Sequence, residues 1–156
     1  MLFLACDQDR HKDGGRLSGT RALAAQEGSS ILQMDHRLLT ADSLVFVFYK
    51  DPLGTDSLRY TRFYTLYSTS DIRKINFVLE NLEGNTESLE KVKPCRSEGK
   101  IWCYTKGKVF QTIYFSYYNT TCSFVYIIKD GRFYYAEISS ALSKRLNAFK
   151  REAKEI

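Results

Sequence analysis

The chain has 156 residues and a mass of 18.1 kDa, with 44% apolar residues, 26% charged residues and a formal charge of +5. That is the composition of one ordinary globular domain, long enough to bury a real core. It excludes a wholly disordered chain, a coiled coil and a collagen-like repeat, but names no activity.

Residues Met1 to Cys6 are apolar, but Asp7, Asp9, Arg10, Lys12 and Asp13 follow at once. A secretory leader needs a longer apolar stretch, and a spanning helix needs roughly 18 to 20 apolar residues. The sequence therefore predicts no transmembrane segment and a cytoplasmic or nuclear location. Residues 1–43 hold one aromatic residue, Phe3, and a formal charge of −1, while residues 44–156 hold every other aromatic and +6. We read 1–43 as a glycine-containing arm, with an edge strand at 1–6 or a short helix at 29–40 capped by Ser29 or Ser30. Residues 44–156 read as an aromatic-rich, basic domain.

Leu44–Tyr49 is the clearest strand, and Asp51-Pro52-Leu53-Gly54 reads as a turn. Arg59–Tyr67 is the next strand, so the pair forms an antiparallel hairpin. Periodicity then changes to that of a helix. Ser68, Thr69 or Ser70 would cap it, Ile72, Ile75, Val78, Leu79 and Leu82 form its apolar stripe, and Gly84 ends it. The polar stretch 85–99, with Pro94, reads as loop. Ile101–Thr105 and Val109–Tyr118 flank Lys106-Gly107, and Ser123–Ile128 and Arg132–Ile138 flank Asp130-Gly131. Asp-Gly fits a type I′ hairpin turn, because glycine takes a positive φ freely and aspartate tolerates one. That loop sets Lys129 opposite Arg132, Ile128 opposite Phe133, Ile127 opposite Tyr134 and Tyr126 opposite Tyr135. Leu142, Leu146, Phe149, Ala153 and Ile156 mark a final helix capped by Ser139 or Ser140.

This order predicts an α+β fold, a twisted antiparallel sheet with two helices packed on one face. The order is similar to the longin-like and profilin-like arrangement.

Catalytic and metal chemistry is thinly represented. No phosphate-cradling glycine motif, HExxH or G-x-S-x-G occurs, and His11 and His36 both precede residue 43. Glu137 alternates with Phe133 and Tyr135, and we read it as exposed at the sheet end rather than as a buried acid. Cys6, Cys95, Cys103 and Cys122 show no CxxC spacing, so no zinc site is implied. They read as buried thiols, with a Cys103–Cys122 disulfide only in an oxidising compartment. No cofactor or metal is expected, and the chain reads as a non-enzyme.

Interleaved aromatic and basic residues stand above this background. Alternation along the 109–118 strand puts Phe110, Tyr114 and Tyr118 on one face and Val109, Ile113, Phe115 and Tyr117 on the other, so both faces are apolar. One faces the helices, and the other needs a partner. Phe110, Tyr114, Tyr118, Trp102 and Tyr104 are the candidate partner-binding residues. Lys100, Lys106, Lys108, Lys129 and Arg132 are the candidate anion-binding residues. Protein recognition or homodimer assembly is the leading reading. Single-stranded nucleic acid, stacked on the rings and neutralised by the lysines, is the second. An apolar small molecule or lipid between sheet and helix is the third.

Overall fold

The computed structural model describes residues 28–54 and 62–155. The expected edge strand at 1–6, most of the glycine-containing arm and the first residues of the 59–67 strand lie outside them. The described elements are α1 (Ile31–Met34), a short 3-10 helix (His36–Thr40), β1 (Ser43–Tyr49), β2 (Tyr64–Thr69), α2 (Ile72–Glu80), β3 (Glu87–Leu89), β4 (Gly99–Thr105), β5 (Lys108–Ser116), β6 (Phe124–Lys129), β7 (Arg132–Glu137) and α3 (Ser140–Glu152). The strands form one antiparallel sheet in the order β2-β1-β4-β5-β6-β7-β3.

The helices lie on one face of that sheet. Ile31 of α1, Leu38 of the 3-10 helix, Ile75, Val78 and Leu79 of α2, and Leu142, Leu146 and Phe149 of α3 join one core. They meet Phe46, Phe48, Ile101, Ile113, Phe115, Val125, Ile127 and Tyr134 from the strands. Because Ile31 and Leu38 are fully buried, the compositional change near residue 43 is not a break in packing. Three aromatic pairs anchor this side: Tyr67 stacks on Phe149 at 4.4 Å, Phe46 meets Phe149 at 4.9 Å, and Phe48 meets Phe115 at 5.6 Å. The last pair closes over Gly99, which lies between Phe48 and Phe115 in the sheet. A Cβ there would sit 2.2 Å from the Val47 carbonyl oxygen and 2.4 Å from the Phe115 ring, so the position needs glycine.

Local chemistry explains the element ends. Ser30 caps α1 in a capping box: its hydroxyl accepts the Gln33 N–H at 3.1 Å while the Gln33 side chain accepts the Ser30 N–H at 2.9 Å. Asp71, not Ser68, Thr69 or Ser70, caps α2, accepting the Arg73 N–H at 2.9 Å. The α2 helix ends at Asn81 rather than at Gly84, and Ile72 is 59% exposed rather than part of the buried stripe, being in the first turn. Ser139 caps α3.

The two hairpin turns are Lys106-Gly107, with φ of 51° and 74°, and Asp130-Gly131, with φ of 51° and 73°. Positive φ at both central residues is the type I′ geometry that matches strand twist. All four expected β6–β7 pairs are observed. The stretch expected as loop contains β3, which pairs with β7 at the sheet edge. Cys95 and Cys122 form a disulfide, and Cys103 is a buried free thiol. This corrects the Cys103–Cys122 pairing. Cys103 alternates onto the helix-covered face with Ile101, whereas Cys122 belongs to a cluster on the other face.

Candidate functional site

Among the described residues, no helix lies on the second face of the sheet. One half of it is closed by the chain's own 90–98 segment. Phe124, Tyr126, Tyr135 and Cys122 are buried there, with Leu89, Cys95, Tyr114 and Phe133 packed against them. The disulfide tethers this segment, and two hydrogen bonds seat it: the Lys93 N–H donates to the Tyr135 hydroxyl at 2.9 Å, and the Ser97 and Tyr126 hydroxyls share one at 3.1 Å. Burial pushes the Tyr135 phenol up. Glu98, buried at the end of the segment, accepts the Tyr117 N–H, and desolvation followed by the Glu98 charge raises the Tyr117 phenol.

The other half is less covered around Lys100, Trp102 and Val109, although Val47 and Tyr49 on the same face of β1 are buried. A row crosses the sheet through Val47, Lys100, Tyr114, Tyr126, Tyr135 and Glu87, and a second runs through Val45, Trp102 and Thr112. Tyr114 stacks on Tyr126 at 4.8 Å, which marks the border between the closed and open halves. The Lys100 ammonium lies 4.8 Å over the Trp102 ring. Strand β5 pairs with β6 only from Tyr114 to Ser116, so the two strands part beyond the tyrosine stack. A shallow hollow of about 310 Å³ opens there, lined by Val109, Gln111, Thr112 and Ile128 among others. Val109 and Ile128 are each 47% exposed.

The expected partner-binding residues do not form one group. Trp102, Tyr104 and Tyr114 are half-buried on the second face. Phe110 packs against the main core, with the Arg37 guanidinium 5.7 Å over its ring, and also lines the hollow between β5 and β6. The cause is a bulge: Cys103 pairs with Gln111 but Tyr104 pairs with Val109, so Phe110 is the extra residue and the alternation flips. Val109 thereby reaches the second face, where simple alternation had placed Phe110. Tyr118 is 43% exposed in the loop after β5, and its hydroxyl contacts the Cys122 sulfur at 3.4 Å.

The basic residues are divided too. Lys100 is on the open face. Lys129 and Arg132 alternate onto the helix side, where the Lys129 ammonium donates to the Met34 carbonyl at 2.9 Å and Arg132 donates to the Ser88 hydroxyl at 2.7 Å. Lys106 and Lys108 are exposed at the β4–β5 turn. These five residues do not make the single positive face that nucleic-acid binding requires.

Glu137 is exposed, as expected, but it borders a polar cleft with Phe124 and Tyr135. Among the described residues, no group of His, Cys, Asp and Glu could hold a metal ion, and no helix is long and apolar enough to cross a membrane. The Cys103 thiol is pushed up to about 12 by burial, then by the Asp35 charge, which opposes the thiolate a nucleophile needs. Sequence reasoning missed Cys95 as the tether, Glu98 as a buried carboxylate and Lys93 as a cleft residue. In comparisons with known proteins, no family model, curated protein or solved structure matches the chain.

Proposed function

We propose that this is a non-catalytic recognition domain that buries the open half of its second sheet face against another protein surface, a second copy of the chain first among them. The observation that carries the reading is the hollow where β5 parts from β6, rimmed by exposed Val109 and Ile128 beside Trp102. An aliphatic and aromatic rim, next to a half-buried tryptophan paired with Thr112, resembles the centre of protein interfaces more than an ordinary solvated surface. The split of the basic residues disfavours nucleic acid. The sheet–helix interface is filled by fully buried Phe46, Phe48, Phe115 and Phe149, which disfavours a lipid between the layers.

The Cys95–Cys122 disulfide supports an oxidising compartment over the cytoplasm or nucleus expected from the sequence. The likeness to longin-like or profilin-like domains is a proposal about element order alone.

Trp102 is the single tryptophan, so its fluorescence reports on this face. Sedimentation velocity over a concentration series tests the reading. The native chain should associate, with a parallel shift in Trp102 emission, and V109E/I128E should stay monomeric. A native chain that is monomeric throughout, with unchanging emission, would remove the self-association reading.

A further inference from the structure

A second cavity lies at the opposite end of the same face, where β7 ends beside β3. It measures about 530 Å³, within the range of small-ligand sites. Its lining includes Phe124 and Tyr135. Lys93 belongs to one wall and Thr120, Thr121 and Ser123 to another, and Cys95–Cys122 links the segments that carry them. The walls are therefore held before any ligand arrives, which lowers the entropic cost of binding.

We propose that this cleft binds a neutral polyhydroxylated ligand, a saccharide unit. Charge selects the class. The Lys93 ammonium sits 2.9 Å from the Glu87 carboxylate and lies 5.0 Å over Tyr135 and 5.7 Å over Phe124. It already fills the place between carboxylate and ring faces where a cationic ligand would settle. Anions meet two carboxylates, Glu87 and Glu137, against one ammonium that is already paired. An apolar ligand would strip water from the hydroxyls and carboxylates and leave them unpaired, at a cost per group.

A sugar satisfies all of these groups. Glu137 has no ion-pair partner among the described residues, and its two oxygens can accept two neighbouring hydroxyls. The Thr120, Thr121 and Ser123 hydroxyls both donate and accept, and Asn85 adds a carboxamide. The Phe124 and Tyr135 rings are 4% and 2% exposed beneath the Lys93 ammonium, so the ligand meets hydroxyl, amide and carboxylate groups rather than a free ring face. The Lys93 N–H holds the Tyr135 hydroxyl at 2.9 Å, so that ring is fixed in place.

The test is an NMR titration of the ¹⁵N-labelled full chain with glucose, galactose, mannose and N-acetylglucosamine. Methylammonium chloride and sodium phosphate serve as charged probes. At least one sugar should shift the Asn85, Thr121, Ser123 and Glu137 amides saturably. E137A should weaken that sugar about tenfold, the loss expected for charge-assisted hydrogen bonds. Glu137 is exposed, so the variant should keep the native spectrum. V109E/I128E should bind the sugar as the native chain does, which separates this site from the protein-docking face. The proposal fails if no sugar shifts these amides, if E137A binds equally well, or if either charged probe binds there more tightly than every sugar.

Discussion

Removing the Cys95–Cys122 disulfide is the most direct perturbation of the second face. The bridge closes a loop of sequence separation 27. Loop-closure entropy for that length gives about 3.5 kcal/mol of stabilisation, acting through the unfolded chain. With a urea slope of roughly 2 kcal/mol per molar, C95A/C122A should lower the unfolding midpoint by about 1.7 M. A domain of this size has about 5 to 15 kcal/mol in hand, so the variant should still fold. The 90–98 segment keeps its hydrogen bonds to Tyr126 and Tyr135, and Arg96 still donates to the Gly54 carbonyl, so it should still reach its native position but hold it only part of the time. Hydrogen exchange should nevertheless quicken at the Lys93 amide while the Ile101 and Ile113 amides change only with global stability. Urea titration of native and variant protein, with peptide mapping of the bridged cysteines, reads both effects. Equal midpoints, or a bridge that includes Cys103, would refute the reasoning.

Three further substitutions or titrations probe the helix-covered side. Gly99→Ala should cost about 1 to 3 kcal/mol or more by thermal melting, because the new Cβ meets a central-strand carbonyl that cannot retreat without breaking β1–β4 pairing; an unchanged melting temperature would contradict the close approach. Phe149→Ala should cost about 3 to 5 kcal/mol in urea, since the ring is 1% exposed and packs on Phe46 and Tyr67. The Cys103 thiol should resist iodoacetamide in the folded protein and react only on unfolding. Its proton is held to about 12 in the folded state against an ordinary 9.0, so the folded state binds more protons between those values. Stability should therefore fall as pH rises from about 9 to about 12, and C103A should show a shallower fall over that window.

Features set by neighbouring residues were legible in the sequence, and those set by distant contacts were not. The β6–β7 register follows from the Asp130-Gly131 turn alone, because two residues with positive φ leave one way for the strands to meet. The α3 stripe of Leu142, Leu146 and Phe149 was legible for the same reason, its period being local, whereas the helix ends before the expected Ala153 and Ile156 lies outside the described residues. Strand β3 was hidden because three residues in a polar stretch carry no period, and only the exposed edge of β7 makes them a strand. The cysteine pairing depends on which sheet face each residue reaches, which no spacing encodes. The bulge at Phe110 is the costliest case. One extra residue moved a chosen site residue to the core side and brought Val109 to the open face. Of the candidate site, Trp102, Tyr104, Tyr114 and Lys100 were legible, because β4 is regular from Gly99 to Cys103 and Tyr114 lies beyond the bulge.

The arrangement of the second face follows from placing every described helix on one side of the sheet. Seven strands leave a broad apolar surface that three helices on the far side cannot cover. Over β6, β7 and β3 the solution is a short segment with little apolar content of its own. Such a segment has too small a hydrophobic contribution to hold itself down against its chain entropy. A covalent bridge compensates, which explains why Cys95 and Cys122 lie beside the aromatic cluster rather than in the main core. Around Trp102 and Val109 no described segment does this, and Lys100 lying over Trp102 is only partial cover. The Tyr114–Tyr126 stack is the hinge of this division, touching the tethered cluster on one side and the hollow on the other. Loosening the bridge should therefore disturb both the cleft and the open face, whereas a charge at Ile128 should reach only the open face. A sugar titration and a sedimentation series on the same two variants separate those consequences: C95A/C122A should weaken both, and I128E should weaken association alone. If I128E also abolished sugar binding, the two surfaces would be one site, and the division at the tyrosine stack would be wrong.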